Sequence, residues 1–97
     1  MMMDKEEALT ILRMSLEPYR GKPYDTLVNM IDAEPVTMEE TGRSGQWYQL
    51  EIEAVWDAGR GGPVRLIGAI DDGGWRAFFP LTDDFIKTPS GEFLDED

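Results

Sequence analysis

Between Tyr48 and Asp57 the chain alternates with a period of two. Tyr48, Leu50, Ile52, Ala54 and Trp56 fall on one side; Gln49, Glu51, Glu53, Val55 and Asp57 fall on the other. This is the period of a strand with one face in a core and one acidic face in water.

The N-terminal third has a different period. From Asp4 to Glu17, Leu9, Leu12 and Leu16 recur at helical spacing beside Ala8, Ile11 and Ser15, which predicts one buried stripe. Asp4, Glu6 and Glu7 lie where a helix N-terminus favours anions. Pro18 is expected to stop this helix, because the residue before proline is pushed out of the α region. Pro23 and the apolar residues Leu27, Val28, Met30 and Ile31 predict a second, shorter helix over Tyr24 to Asp32.

After Pro35 the period falls to two. Val36 to Thr41 reads as a strand, then Gly42-Arg43-Ser44-Gly45 as a turn. A three-residue loop with Gly45 left-handed sets Glu40 against Tyr48 and Met38 against Leu50. That register keeps Val36, Met38, Leu50 and Ile52 on one side. A glycine-rich loop, 58–62, leads to a third strand over Pro63 to Asp71, with Val64, Leu66, Gly68 and Ile70 inward.

Asp72-Gly73 between apolar runs predicts a type I′ hairpin tip with positive φ at Gly73. Ile70 would then face Trp75, and Leu66 would face Phe79. A fourth strand over Trp75 to Leu81 follows, inward at Trp75, Ala77, Phe79 and Leu81, and an edge at Pro80 because proline lacks a ladder donor. Thr82 would cap a short helical turn through Asp83, Asp84, Phe85 and Ile86. Thr88-Pro89-Ser90-Gly91 is a turn, and Phe93-Leu94 is a last apolar anchor.

Helices first and strands afterwards is the α+β pattern. The expected architecture is a single domain over 1–97. Two N-terminal helices pack on one face of a four-stranded antiparallel meander, order 1-2-3-4, followed by a short C-terminal helical turn. Leu50, Ile52, Leu66, Ile70, Trp75 and Phe79 would be buried against Leu9, Leu12, Leu16, Leu27 and Ile31.

Composition narrows the chemistry. The 97 residues contain neither cysteine nor histidine. Disulfides, thiol catalysis and Cys-based metal centres are excluded, and so is any nucleophilic system that relies on histidine. No cofactor and no resident metal is expected. The net charge of −11 opposes nucleic acid, whose backbone is bound by Lys and Arg displacing counterions. It equally opposes an anionic membrane surface. No apolar stretch is long enough to span a bilayer, and the start lacks the pattern of a signal peptide, so a cytoplasmic location is expected.

Candidate motifs are few. Asp71-Asp72-Gly73-Gly74 has clustered carboxylates, but the spacing of a calcium loop is absent and a turn explains it. Gly59-Arg60-Gly61-Gly62 precedes a strand, whereas a phosphate cradle precedes a helix. Asp83-Asp84 and Asp95-Glu96-Asp97 read as solvated charge.

The sheet's second face is the informative surface. It is expected to carry Thr37, Glu39, Trp47, Gln49, Glu51, Glu53 and Val55, then Arg65, Ile67 and Ala69, then Arg76 and Phe78. One row would run Thr37, Glu51, Ala69, Arg76, with an Arg76–Glu51 ion pair across small Ala69. The next would run Glu53, Ile67, Phe78. Three readings compete for this face: a solvated surface, a recognition surface of aromatic residues rimmed by carboxylates, or a surface covered by the C-terminal segment.

The reading chosen from the sequence is a non-catalytic protein-binding module for a partner with a basic surface. Trp47, Glu51, Glu53, Phe78 and Glu39 are its expected contact residues. The build resembles small acidic bacterial α+β domains, some immunity proteins among them. An immunity- or antitoxin-like inhibitor, or a mimic of nucleic-acid charge, is therefore its sharp form. The alternative is a small-molecule or cation-binding domain with a site between helices and sheet. An enzyme using carboxylates alone is the third possibility.

Overall fold

The computed structural model describes residues 3–74 and 80–94. Helices α1 (Lys5–Arg20) and α2 (Tyr24–Ile31) precede strands β1 (Val36–Thr41), β2 (Trp47–Trp56), β3 (Val64–Asp71), β4 (Leu81–Lys87) and β5 (Phe93–Leu94). Neighbouring strands are antiparallel in the order β1-β2-β3-β4-β5. The α+β class and the meander are as the sequence predicts. The strand count is not: five strands are present among the described residues, and the expected C-terminal helical turn is part of a strand.

Asp4 caps α1, its Oδ1 accepting the Glu7 amide at 3.0 Å. The helix buries Ala8, Leu12 and Leu16. It does not stop at Pro18 but runs through it to Arg20. Proline removes one intrahelical donor here, and only the last turn follows. Contacts from the sheet hold that turn. The Arg20 guanidinium lies over the Phe93 ring at 4.3 Å. The Lys87 Nζ donates to the carbonyls of Arg20 at 2.9 Å and Lys22 at 2.7 Å. A cation on the C-terminal carbonyls of a helix is favourable for the helix dipole as well as for hydrogen bonding.

The β1–β2 hairpin has the predicted register, Met38 opposite Leu50 and Glu40 opposite Tyr48, with φ of +89° at Gly45. Gly68 sits under α1, where a Cβ would lie 2.8 Å from Leu12 Cδ1 and 3.0 Å from Leu16 Cδ2. A bare α-carbon there lets the helix settle onto the sheet.

The main departure is beyond β3. Ile70 pairs with Leu81 and Leu66 with Phe85, not with Trp75 and Phe79. Gly73 has the predicted positive φ, +81°, yet Asp72-Gly73 is not the tip of a two-residue hairpin, because Ile70 stands opposite Leu81. The expected inward residues Trp75, Ala77 and Phe79 lie outside the described residues.

Long-range charge pairing explains why 81–87 is a strand despite two aspartates, which ordinarily avoid strands. Asp83 faces α1 and meets Arg13 at 3.6 Å, while Asp84, on the other side, pairs with Arg65. Phe85 and Lys87 face the helices. Phe85 is 4% exposed and meets Phe93 edge-on at 5.7 Å. Phe93 therefore joins the helix side as part of an added edge strand, and the C-terminal segment through Leu94 does not fold across the second face.

One core lies between the helices and the sheet. Leu12, Leu27, Tyr48, Ile52, Val64, Leu66 and Ile70 are fully buried there, with Leu50 and Leu16 almost so. Leu9 and Ile31 pack at its rim. No helix is long and apolar enough to cross a membrane among the described residues.

Candidate protein-contact face

The second face of the sheet is built by the odd positions of β1 and β2. The β1–β2–β3–β4 register sets Thr37, Glu51, Ala69 and Thr82 in one row. Glu53, Ile67 and Asp84 form the next. Thr82 and Asp84 thus occupy the places expected for Arg76 and Phe78, because β4 pairs further along the chain than the short hairpin would allow. The expected Arg76–Glu51 row is corrected accordingly. Arg76 and Phe78 themselves lie outside the described residues.

Trp47 is 40% exposed. Its Nε1 donates to Glu39 Oε1 at 3.2 Å, a diagonal link between β2 and β1. The ring lies over Gly73, where a Cβ would come within 2.8 Å of Trp47 Cζ3. The indole is therefore set by a carboxylate on one side and a glycine turn on the other. Gln49 donates from Nε2 to Asp71 Oδ1 at 2.6 Å. Glu39, Glu51 and Glu53 are exposed. Glu51 and Glu53 have no cationic partner among the described residues.

The opposite end of this face is electrostatically closed. Arg65 donates to Asp57 at 2.7 and 3.1 Å and also to Asp84. These hydrogen bonds, to Asp57 first and Asp84 second, raise the guanidinium's pKa further. The face is thus polarised, with an indole and open carboxylates at the β1–β2 end and a triad whose one cation is fully paired at the β3–β4 end. Of the expected contact residues, Trp47, Glu39, Glu51 and Glu53 do share this one surface.

Asp71, which ends β3, and Asp72 cap the turn that follows while also accepting from Gln49 and Gln46 of the neighbouring strand and turn. Asp71 Oδ1 accepts the Gly73 amide at 2.7 Å, and Asp72 Oδ1 accepts the Gly74 amide at 3.0 Å. Between helices and sheet the interior is apolar, entered by Tyr48 and Lys87. No group of three or more Asp or Glu side chains suited to a metal ion occurs among the described residues.

One polar cluster has no counterpart in the sequence reading. Glu7 reaches from α1 to the β1–β2 turn, where its carboxylate accepts from Ser44 Oγ at 2.6 Å, Ser44 N at 3.0 Å and Tyr48 Oη at 2.8 Å. The Ser44 hydroxyl, then the Ser44 amide and the Tyr48 hydroxyl, hold the Glu7 carboxyl below its usual pKa. Burial, then the Glu7 carboxylate, pushes the Tyr48 phenol up. In the sequence, the helix dipole alone accounts for Glu7. Its partners lie 37 and 41 positions away, and no local spacing signals them. Sequence reasoning misses Lys87 because 82–86 reads as a helical turn; the alternation Leu81, Asp83, Phe85, Lys87 is the signal that points to a strand.

No family model matches this chain, and neither a curated protein nor a solved structure matches it.

Proposed function

We propose that this protein is a non-catalytic binding module whose acidic sheet face receives a basic surface on another protein. The supporting observation is the polarised face. Trp47 stands half-exposed and oriented by Glu39, on the same strand face as Glu51 and Glu53, while Arg65 of that face is consumed by Asp57 and Asp84. An amphipathic aromatic ring rimmed by carboxylates is the composition of an anchor with a steering rim. An immunity- or antitoxin-like inhibitor is the form that fits this chemistry best, because such a protein works by covering a basic partner rather than by turning over a substrate. Net charge of −11 supplies the long-range attraction.

The test begins with affinity purification from the native host, comparing the natural chain with Trp47→Ala and with the double variant Glu51→Gln/Glu53→Gln. A partner captured by the natural chain is then followed by stopped-flow binding at several ionic strengths. The on-rate is expected to fall steeply with salt, since exposed charges are screened within ~8–10 Å. The glutamine pair should lower the on-rate, and Trp47→Ala should mainly raise the off-rate. A salt-independent on-rate with all variants unchanged would remove the interface from this face. Duplex DNA, offered near physiological salt, should not bind measurably.

A further inference from the structure

The two edges of the sheet differ. One ends in β5, two residues long; the other is β1, six residues long, containing no proline and covered by no described strand. Five of its six residues are exposed. The ladder shows which backbone groups are open. Gly42 donates to the Gln46 carbonyl at 2.9 Å, and hydrogen-bonded pairs in an antiparallel ladder recur every second residue. Val36, Met38 and Glu40 therefore turn their amides and carbonyls toward β2. Thr37, Glu39 and Thr41 turn theirs outward.

This edge has side-chain chemistry on both faces. On the helix side, Met38 borders an apolar groove lined by Ile11, Met14, Pro18 and Tyr19 of α1. Glu40 stands at the same groove. Glu39 is on the opposite face, beside Trp47.

We infer that β1 takes an extended, basic strand of the partner protein as an added antiparallel strand. Read from its N-terminus, that strand places a basic residue opposite Glu40, a second opposite Glu39 and an apolar side chain opposite Met38, in the groove. Main-chain pairing gives affinity, and the alternating sides give selectivity. A second copy of this chain fits worse: two-fold pairing of β1 with itself keeps like faces together, which brings the carboxylates of two −11 chains side by side. This inference rests on the binding-module reading and names its mode.

The probe is the peptide Thr-Val-Thr-Lys-Arg-Leu-Thr-Val-Thr, with Glu-Glu in place of Lys-Arg as comparison, titrated into the intact chain and followed by backbone amide shifts. The expected result is saturable binding of the basic peptide only, with shifts centred on residues 36–41. Thr37→Pro deletes an outward donor and no β1–β2 bond, a position where an edge tolerates proline. It should weaken binding at least about tenfold while the chain stays folded by circular dichroism. Glu39→Gln/Glu40→Gln, which leaves the backbone untouched, should also weaken binding and flatten its salt dependence.

Absence of binding overturns the inference. Binding that shifts Trp47, Glu51 and Glu53 and ignores Thr37→Pro overturns the edge mode but leaves the sheet-face reading standing. Edge binding that is indifferent to Trp47→Ala and Glu51→Gln/Glu53→Gln does the reverse. A dimer in sedimentation that Thr37→Pro dissolves assigns the edge to a second copy and overturns the inference.

Discussion

Replacing Lys87 by methionine isolates what one buried cation contributes to the helix–sheet joint. Lys87 is only 8% exposed, and its Nζ donates to the Arg20 and Lys22 carbonyls at 2.9 and 2.7 Å. Methionine keeps an unbranched chain of similar length and removes both donors. Each hydrogen bond to a charged group contributes about 1.5–3 kcal/mol net, and the helix C-terminus adds about 0.3–1 kcal/mol. Losing the desolvation cost of the ammonium and gaining water at the freed carbonyls offset part of this, so the expected loss is about 2–4 kcal/mol. A domain of this kind has only about 5–15 kcal/mol of stability. The corresponding drop in Tm is about 8–32 °C, at about 4–8 °C per kcal/mol. Urea unfolding followed by far-UV circular dichroism gives the free energy, and an unchanged m-value shows that the native state is the same. The comparison is Lys22→Met, which makes the same change in net charge on the same side of the molecule. The Lys22 Nζ is 5.7 Å from the Tyr19 ring, and at this half-buried position the contact is expected to contribute about 0.5–1 kcal/mol. Equal losses in the two variants would refute the reasoning, because the effect would then be general charge balance rather than two bonds to the end of α1.

Three further outcomes are expected. Ile52→Ala should cost about 2–5 kcal/mol, whereas Glu53→Ala should stay within about 0.5 kcal/mol; equal losses in urea melts would reverse the assignment of faces. Gly73→Val should lower stability by about 1–3 kcal/mol, since φ is +81° and the added carbon meets Trp47; an unchanged Tm would contradict that geometry. The Glu7 clamp makes a pH prediction. Its folded pKa lies below the ordinary 4.5, so its contribution is present above the unfolded value and is lost as pH falls through the folded one. The stability gap between the natural chain and Glu7→Gln should be constant near neutral pH and shrink on acidification below 4.5, as measured by urea melts across that range.

The alternation from Tyr48 to Trp56, the leucine spacing of the first helix and the glycine turn at 42–45 are decided locally, and all three appear in the fold as expected. A period-two pattern has one way to bury its apolar side, and a short turn leaves one register that keeps Val36, Met38, Leu50 and Ile52 together. Those local features are sufficient to place Trp47, Glu39, Glu51 and Glu53 on one surface. The partner of β3 is not decided locally. Asp72-Gly73 has the backbone of a turn, but strand pairing is chosen by what the paired strand buries and by which charges it meets. Arg13 and Arg65 neutralise Asp83 and Asp84 from elements distant in sequence, Phe85 fills the space under Arg20, and Lys87 reaches the end of α1. The same end contacts carry α1 past Pro18. Local propensity sets which conformations are accessible to a segment; only the tertiary fold supplies the distant charges and carbonyls that make one of them the most stable.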